Sequence, residues 1–217
     1  MLDHHPDVHD LGPFSKELHY FDRFWQDEFG PHEIDQYRRR FARPAGKHCG
    51  EWTPRYMYDR WTPSLLRRAA PDARLLVLLR DPVSRLVSGI TYASERGRKL
   101  DETIVSIAVA RGFYHQQLTH LLRSFPRQQV LVLQLEKCVA DPSGQLRRTL
   151  RFLGLRDDVD LSAHLALEVN TRKGPPVRLP PRVLAEVKAA LEPDVRRLAD
   201  DFAEVDMSLW PNFTAPG

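Results

Sequence analysis

Two uninterrupted apolar runs stand out along the chain, RLLVLL at 74–79 and VLVLQLE at 130–136. Each reads as a strand buried on both faces, the pattern of a parallel sheet. Asp81-Pro82 follows the first run at once. Asp is a good N-cap and Pro suits the first helical turn, so a helix is predicted from there through RLVSGITYAS. Apolar positions at Ile104, Ile107 and Ala108, then at Leu118, Leu121 and Leu122, predict one helix over about Thr103–Ser124. After the second run, ADPSGQLRRTLRFLGL carries Leu146, Leu150 and Leu153 on one helical face. Strands alternating with helices imply an α/β fold, three layers around a central parallel sheet.

Elsewhere the pattern is less regular. Met1 to about Arg60 reads as loop-rich, with the aromatic clusters HYFDRFW and RYMYDRW between short helical pieces. LLRRAAPDA predicts a short helix ended by Pro71. From Pro181 to Phe202, Val183, Leu184, Val187, Leu191, Val195 and Leu198 recur at helical spacing. Pro193 is expected to split that stretch into two helices. SLWPNF closes the pattern as an aromatic plug. No repeat, low-complexity tract or linker divides residues 1–217, which read as a single domain.

Composition narrows the field. The chain is 42% hydrophobic and 28% charged, which excludes collagen, a disulfide scaffold and a wholly disordered chain. No run of about eighteen apolar residues predicts a membrane span. MLDHHPDVHD lacks the basic and apolar regions of a secretory leader, so the reading is cytoplasmic. The formal net charge is only +3, and the basic residues are dispersed, without the stripe a nucleic acid requires. Arg outnumbers Lys 26 to 6. That excess either reflects the codon usage of a GC-rich genome or serves bidentate recognition of phosphate, sulfate or carboxylate. Cys49 and Cys138 have no metal-ligand spacing and read as free thiols of a reducing compartment. His5 and His9 are spaced for one helix face, but Pro6 interrupts it, and no metal site is expected.

Three local features could carry chemistry. In LLRDPVSRLVS a strand delivers Arg80 to the carboxyl edge of the sheet, where open α/β folds bind ligands. The helix that follows points its positive end there, and Ser84 and Ser88 share one of its faces. This suits a phosphate, unless Arg80 simply caps or pairs with Asp81. SKELHYFD gathers Lys16, Glu17, His19 and Asp22. In an extended segment Glu17 and His19 would share a face, and a carboxylate near a Lys and a His can serve as a general base. A solvated charged loop is the plainer alternative. NTRKGPPVR supplies Arg172, Lys173 and Arg178 around Gly174, a loop able to close over an anion or simply a basic surface loop.

Taken together and in order, these segments resemble the sulfotransferases that use 3′-phosphoadenosine 5′-phosphosulfate (PAPS), most nearly the heparan-sulfate type and its bacterial relatives. KELHYFD at 16–22 is similar to that family's Lys-Glu-x-His-Phe-Phe-Asp segment, and GEWTPRYM at 50–57 to its Gly-Glu-Lys-Thr-Pro-x-Tyr segment. PDARLLVLLRDPVSRLVS at 71–88 resembles its 3′-phosphate-binding strand and helix. RGFYHQQL, VLVLQLEKCVADP, LRRTLRFLGL, the NTRKG loop and VDMSLWP follow in family order. The resemblance implies a P-loop-kinase-like fold and transfer of a sulfuryl group from PAPS to a hydroxyl or amine, on a carbohydrate acceptor, without metal. It implies that Arg80 and Ser88 bind the 3′-phosphate and that Arg172, Lys173 and Gly174 belong to the loop closing on the nucleotide. Glu17 would be the base, with His19 and Lys16 beside it. Asp22, Trp52 and Tyr114 would lie on the acceptor side.

The sequence also departs from that pattern. The family opens with a strand and a Gly-rich loop, roughly Lys-x-Gly-Thr-Thr/Ser, that cradles the 5′-phosphosulfate. Here MLDHHPDV looks like the end of the helix after that loop, so the expectation is a chain lacking that strand and loop, with little activity in this form. Trp52 replaces a family Lys, which argues against a highly anionic glycan, and Pro175 stands where Arg is common. A sulfotransferase remnant that only binds nucleotide or glycan is the main alternative. A nucleotide kinase is the other, but no Walker A loop is visible.

Overall fold

The computed structural model describes residues 2–12, 16–165 and 174–214. In chain order its elements are α1 (Pro31–Arg39), α2 (Thr62–Ala69), β1 (Leu75–Leu79), α3 (Pro82–Glu95), α4 (Glu102–Ala110), α5 (Tyr114–Leu121), β2 (Val130–Gln134), α6 (Leu135–Ala140), α7 (Pro142–Leu153), α8 (Ser162–Leu165) and α9 (Pro181–Asp201). β1 and β2 pair as a parallel two-stranded sheet, as the apolar runs predicted. No helix among the described residues is long and apolar enough to cross a membrane.

Two compact units emerge. The first takes the described residues of Met1–Leu75, Gln117–Leu131 and Leu146–Leu167. Its centre is aromatic. Phe21 is wholly buried, with the rings of Tyr20, Phe29, Tyr37 and Tyr56 at centroid distances of 4.8 to 5.7 Å. Tilted and edge-on pairs of this kind add about 0.5–1.5 kcal/mol each beyond area burial. α1 opens at Gly30, whose N–H is bonded by the Glu33 carboxylate at 2.9 Å, with Pro31 in the first turn. A second apolar cluster joins Leu146, Leu150, Leu155 and Leu161. His5 is buried there. Its Nε2 bonds the Arg156 carbonyl at 2.9 Å and its Nδ1 accepts from the Asp7 N–H at 3.0 Å, so both ring nitrogens are engaged.

The second unit takes the described residues of Leu76–Gln116, Val132–Gln145 and Glu168–Gly217. Here the structure corrects three expectations. β1 is not buried on both faces: Val77 and Leu79 are buried, but Leu76 is 38% and Leu78 57% exposed. That is the period-two alternation of a half-covered strand. β2, in contrast, is buried throughout. The single helix over Thr103–Ser124 is two, α4 and α5. The break falls at Gly112, where a Cβ would sit 3.0 Å from Leu191 and 3.1 Å from the Val109 carbonyl. α5 gains a cap from another helix, since the Asp194 carboxylate accepts from the N–H groups of His115 at 2.9 Å and Gln116 at 3.2 Å. Finally, Pro193 does not divide α9, which runs unbroken through it. One backbone bond is lost, but Val187, Leu191, Val195 and Leu198 form one buried stripe on both sides of the proline.

Candidate active site

The site residues fall into two clusters, one in each unit. In the first unit, Glu17 and His19 are the non-glycine residues at positive φ among the described residues, at 54° and 51°. The segment is therefore not extended, and the expected alternation of faces does not hold. Left-handed backbone costs an ordinary residue about 1–2 kcal/mol, so surrounding structure has to impose it. Lys16 forms a parallel bridge with Trp52, and the Glu17 N–H donates to the Trp52 carbonyl at 2.7 Å. On the other side the Asp22 N–H donates to the His19 carbonyl at 3.3 Å.

The bent backbone still brings the side chains together. His19 Nε2 lies 3.6 Å from a Glu17 carboxylate oxygen, and His19 Nδ1 lies 2.9 Å from Asp22 Oδ2. The imidazole thus stands between two carboxylates. Asp22 Oδ2 is also 3.6 Å from Arg55 Nε, whose main partner is the buried Asp59 at 2.7 Å. That Asp59 bond holds the Arg55 guanidinium above its ordinary pKa. Lys16 is exposed, with Nζ 5.5 Å from the centre of the Trp52 ring, and Trp52 is itself 55% exposed. Half the cluster therefore faces water.

Sequence reasoning missed what lies behind it. Glu51 is half-buried and accepts from the Tyr37 hydroxyl at 2.6 Å and the Thr53 hydroxyl at 2.8 Å. Burial pushes its carboxyl above the usual range, although those hydroxyls and nearby His19 pull the other way. Tyr56, beside it, accepts the Tyr20 N–H at 2.8 Å. This network ties the segment of Glu17 to Asp22 to the aromatic core. Its only sequence signal was the proximity of Glu51 to Trp52 in GEWTPRYM.

In the second unit, Arg80 leaves β1 at the carboxyl end, as expected, and α3 starts two residues later. Arg80 does not pair with Asp81. The Asp81 carboxylate is 1% exposed and fully engaged by neutral donors: the Ser84 N–H at 2.9 Å, the Asn212 side-chain amide at 3.0 Å to each oxygen, and the Asn212 N–H at 3.2 Å. The Arg80 side chain makes no hydrogen bond or ion pair with any described residue. A half-buried guanidinium without a counter-ion, beside a helix N-terminus, fits a doubly charged phosphate group.

Ser88 is half-buried on α3, and the described part of the C-terminal loop runs along the same side of that helix. The Val177 N–H donates to Thr91 Oγ1 at 2.9 Å and the Gly174 N–H to Glu95 at 3.1 Å. Residues three, four and seven apart share a helical face, which places Gly174 on the side carrying Ser88. Arg172 and Lys173 lie outside the described residues. Tyr114 is buried against Trp210. Burial holds that phenol well above its ordinary pKa.

The model of the sulfotransferase family fits residues 35–159, and the chain belongs to that family. It is 30% identical over 174 residues to human heparan sulfate glucosamine 3-O-sulfotransferase 3B1, covering 70% of this chain and 41% of that protein. Human heparan sulfate glucosamine 3-O-sulfotransferase 6 is 34% identical over 167 residues, covering 70% of this chain and 46% of that one. The chain spans less than half the length of these relatives. The crystal structure of a sulfotransferase from Alicyclobacillus acidocaldarius superposes with a TM-score of 0.74 at 26% identity, covering 96% of this chain and 90% of that one. The fold is thus the α/β, P-loop-like fold of sulfotransferases.

Proposed function

We propose that this protein transfers a sulfuryl group from PAPS to a hydroxyl or amine of a carbohydrate acceptor. The observation that carries this reading is the arrangement at Glu17, His19 and Asp22: a carboxylate on strained backbone, next to an imidazole braced by a second carboxylate. Glu17 accepts the acceptor's proton as the acceptor oxygen or nitrogen bonds to sulfur and the bond from sulfur to the phosphate oxygen breaks. His19, bonded to Asp22 through Nδ1, keeps its Nε2 edge toward Glu17 and the incoming group. Lys16 adds positive charge at the same edge, and Trp52 and Asp22 face the acceptor.

On the nucleotide side Arg80 and Ser88 hold the 3′-phosphate, and Arg172, Lys173 and Gly174 close on it. Such a reaction depends on placing the reactants in line and neutralising the leaving phosphate, which cations and helix termini do. The activity for which the human relatives are named, heparan sulfate glucosamine 3-O-sulfotransfer, supports a sugar acceptor.

Calorimetric titration with adenosine 3′,5′-bisphosphate, with ADP as control, tests the reading. Binding of the bisphosphate and not of ADP is expected. Equal binding of both, or of neither, would overturn it.

A further inference from the structure

We propose that Asn212 is a positioning residue of the nucleotide site: it satisfies Asp81 and so keeps Arg80 free for the 3′-phosphate. The inference rests on the nucleotide reading of Arg80 above.

Arg80 and Asp81 are adjacent, and an arginine beside a carboxylate is the ordinary recipe for an ion pair. Asp81 is deeply buried, where an underbonded carboxylate is costly. It has two ways to be satisfied. One is the Arg80 guanidinium, which would take the cation out of service. The other is the set of neutral donors that the structure shows. Asn212 supplies three of those four contacts, two from Nδ2 and one from its backbone N–H, leaving only the Ser84 N–H from α3. The same Nδ2 lies 3.3 Å from Ser84 Oγ. The amide thus joins the cap of α3 to the segment after Trp210.

The peptide between Arg80 and Asp81 is gripped from the same direction. The Asp81 N–H donates to Glu136 Oε1 at 3.0 Å, and Glu136 Oε2 accepts from the Trp210 indole at 3.0 Å. Trp210 and Asn212 are two residues apart, so one short segment fixes both the backbone and the carboxylate beside Arg80. A neutral amide suits this place better than a lysine would. It satisfies the carboxylate without adding a cation that would compete for the phosphate.

The test compares adenosine 3′,5′-bisphosphate with 5′-AMP on four chains: unchanged, Arg80→Ala, Asn212→Ala, and Asn212→Ala combined with Asp81→Asn. In Asn212→Ala the guanidinium turns to Asp81, and bisphosphate affinity falls roughly 10- to 100-fold, as for Arg80→Ala, while 5′-AMP affinity stays within about twofold. Adding Asp81→Asn removes the charge that captures Arg80 and restores most of the lost affinity. A purely structural role predicts no such recovery, since the double variant has fewer native contacts than the single one. Asn212→Ser, which keeps a side-chain hydroxyl donor, should fall between the unchanged chain and Asn212→Ala and serves if Asn212→Ala does not fold. If Arg80→Ala leaves the preference for bisphosphate intact, the nucleotide reading itself fails. If Arg80→Ala loses that preference and the Asn212 variants keep it, or if Asp81→Asn gives no recovery, the role of Asn212 is overturned.

Discussion

Around Glu17 the backbone is bent into left-handed conformations and the side chains stand half in water; beside Arg80 no described residue is left-handed, and Asp81 is buried and bonded at its N–H and at both carboxylate oxygens. On the proposed reading, the contrast follows from what each region has to do. A general base has to meet an acceptor arriving from solvent and needs its carboxylate held at one angle, which tertiary contacts impose at the expense of local comfort. A phosphate site needs a fixed cation and helix terminus. Rigidity there comes from satisfied hydrogen bonds rather than from strain. Stability and function are therefore coupled in opposite senses in the two regions.

Substitutions can break that contrast or sharpen it. The largest effect is expected at Glu17→Gln, which removes the base but keeps the shape. Turnover relative to the unchanged chain should fall about 10²- to 10⁴-fold, with bisphosphate affinity and melting temperature unmoved. A matching loss of nucleotide affinity would place Glu17 on the wrong side of the reaction. Next comes Trp210→Phe, which leaves Glu136 Oε2 without its indole donor. Stability should drop by about 1–3 kcal/mol, read as a lower denaturant midpoint, and bisphosphate affinity should weaken with it. If affinity holds while stability falls, the polar network under Arg80 is scaffold alone. A small change in stability tests the strain itself. Glu17→Gly relieves the positive φ and should stabilise the protein by about 0.5–1 kcal/mol while abolishing turnover. A destabilised variant would show that the left-handed backbone is no strain at all.

Much of this was legible in the chain, and the rest was not for identifiable reasons. The strands, the Asp81-Pro82 helix start and the segment holding Glu17, His19 and Asp22 all announce themselves locally. Their geometry does not. The positive φ at Glu17 is held by the Trp52 carbonyl, 35 residues on, and no local pattern encodes that bond. Asn212 meets Asp81 across 131 residues and Glu136 meets it across 55, so neither looked functional in its own context. The exposed face of β1 was misread because a continuous apolar run does not say how many faces are covered. Gly112 could have been found: a glycine inside a predicted helix is a standing warning of a break. Pro193 gave a similar warning that packing overrode, since α9 buries its stripe on both sides of it.

The distribution of the four tryptophans also has an optical consequence. Trp210 is wholly enclosed in the unit that carries Arg80, whereas in the unit that carries Glu17 Trp25 is 63% exposed, Trp52 is open to solvent and Trp61 is half-buried. A water-soluble quencher such as iodide would therefore extinguish mainly the emission of Trp25 and Trp52. The blue-shifted light that survives would come chiefly from the ring bonded to Glu136. The protein thus carries its own pair of reporters, one for the surface around Glu17 and one for the ground beneath Arg80. The two could be followed at the same time, in one cuvette, as ligand is added or the chain is unfolded.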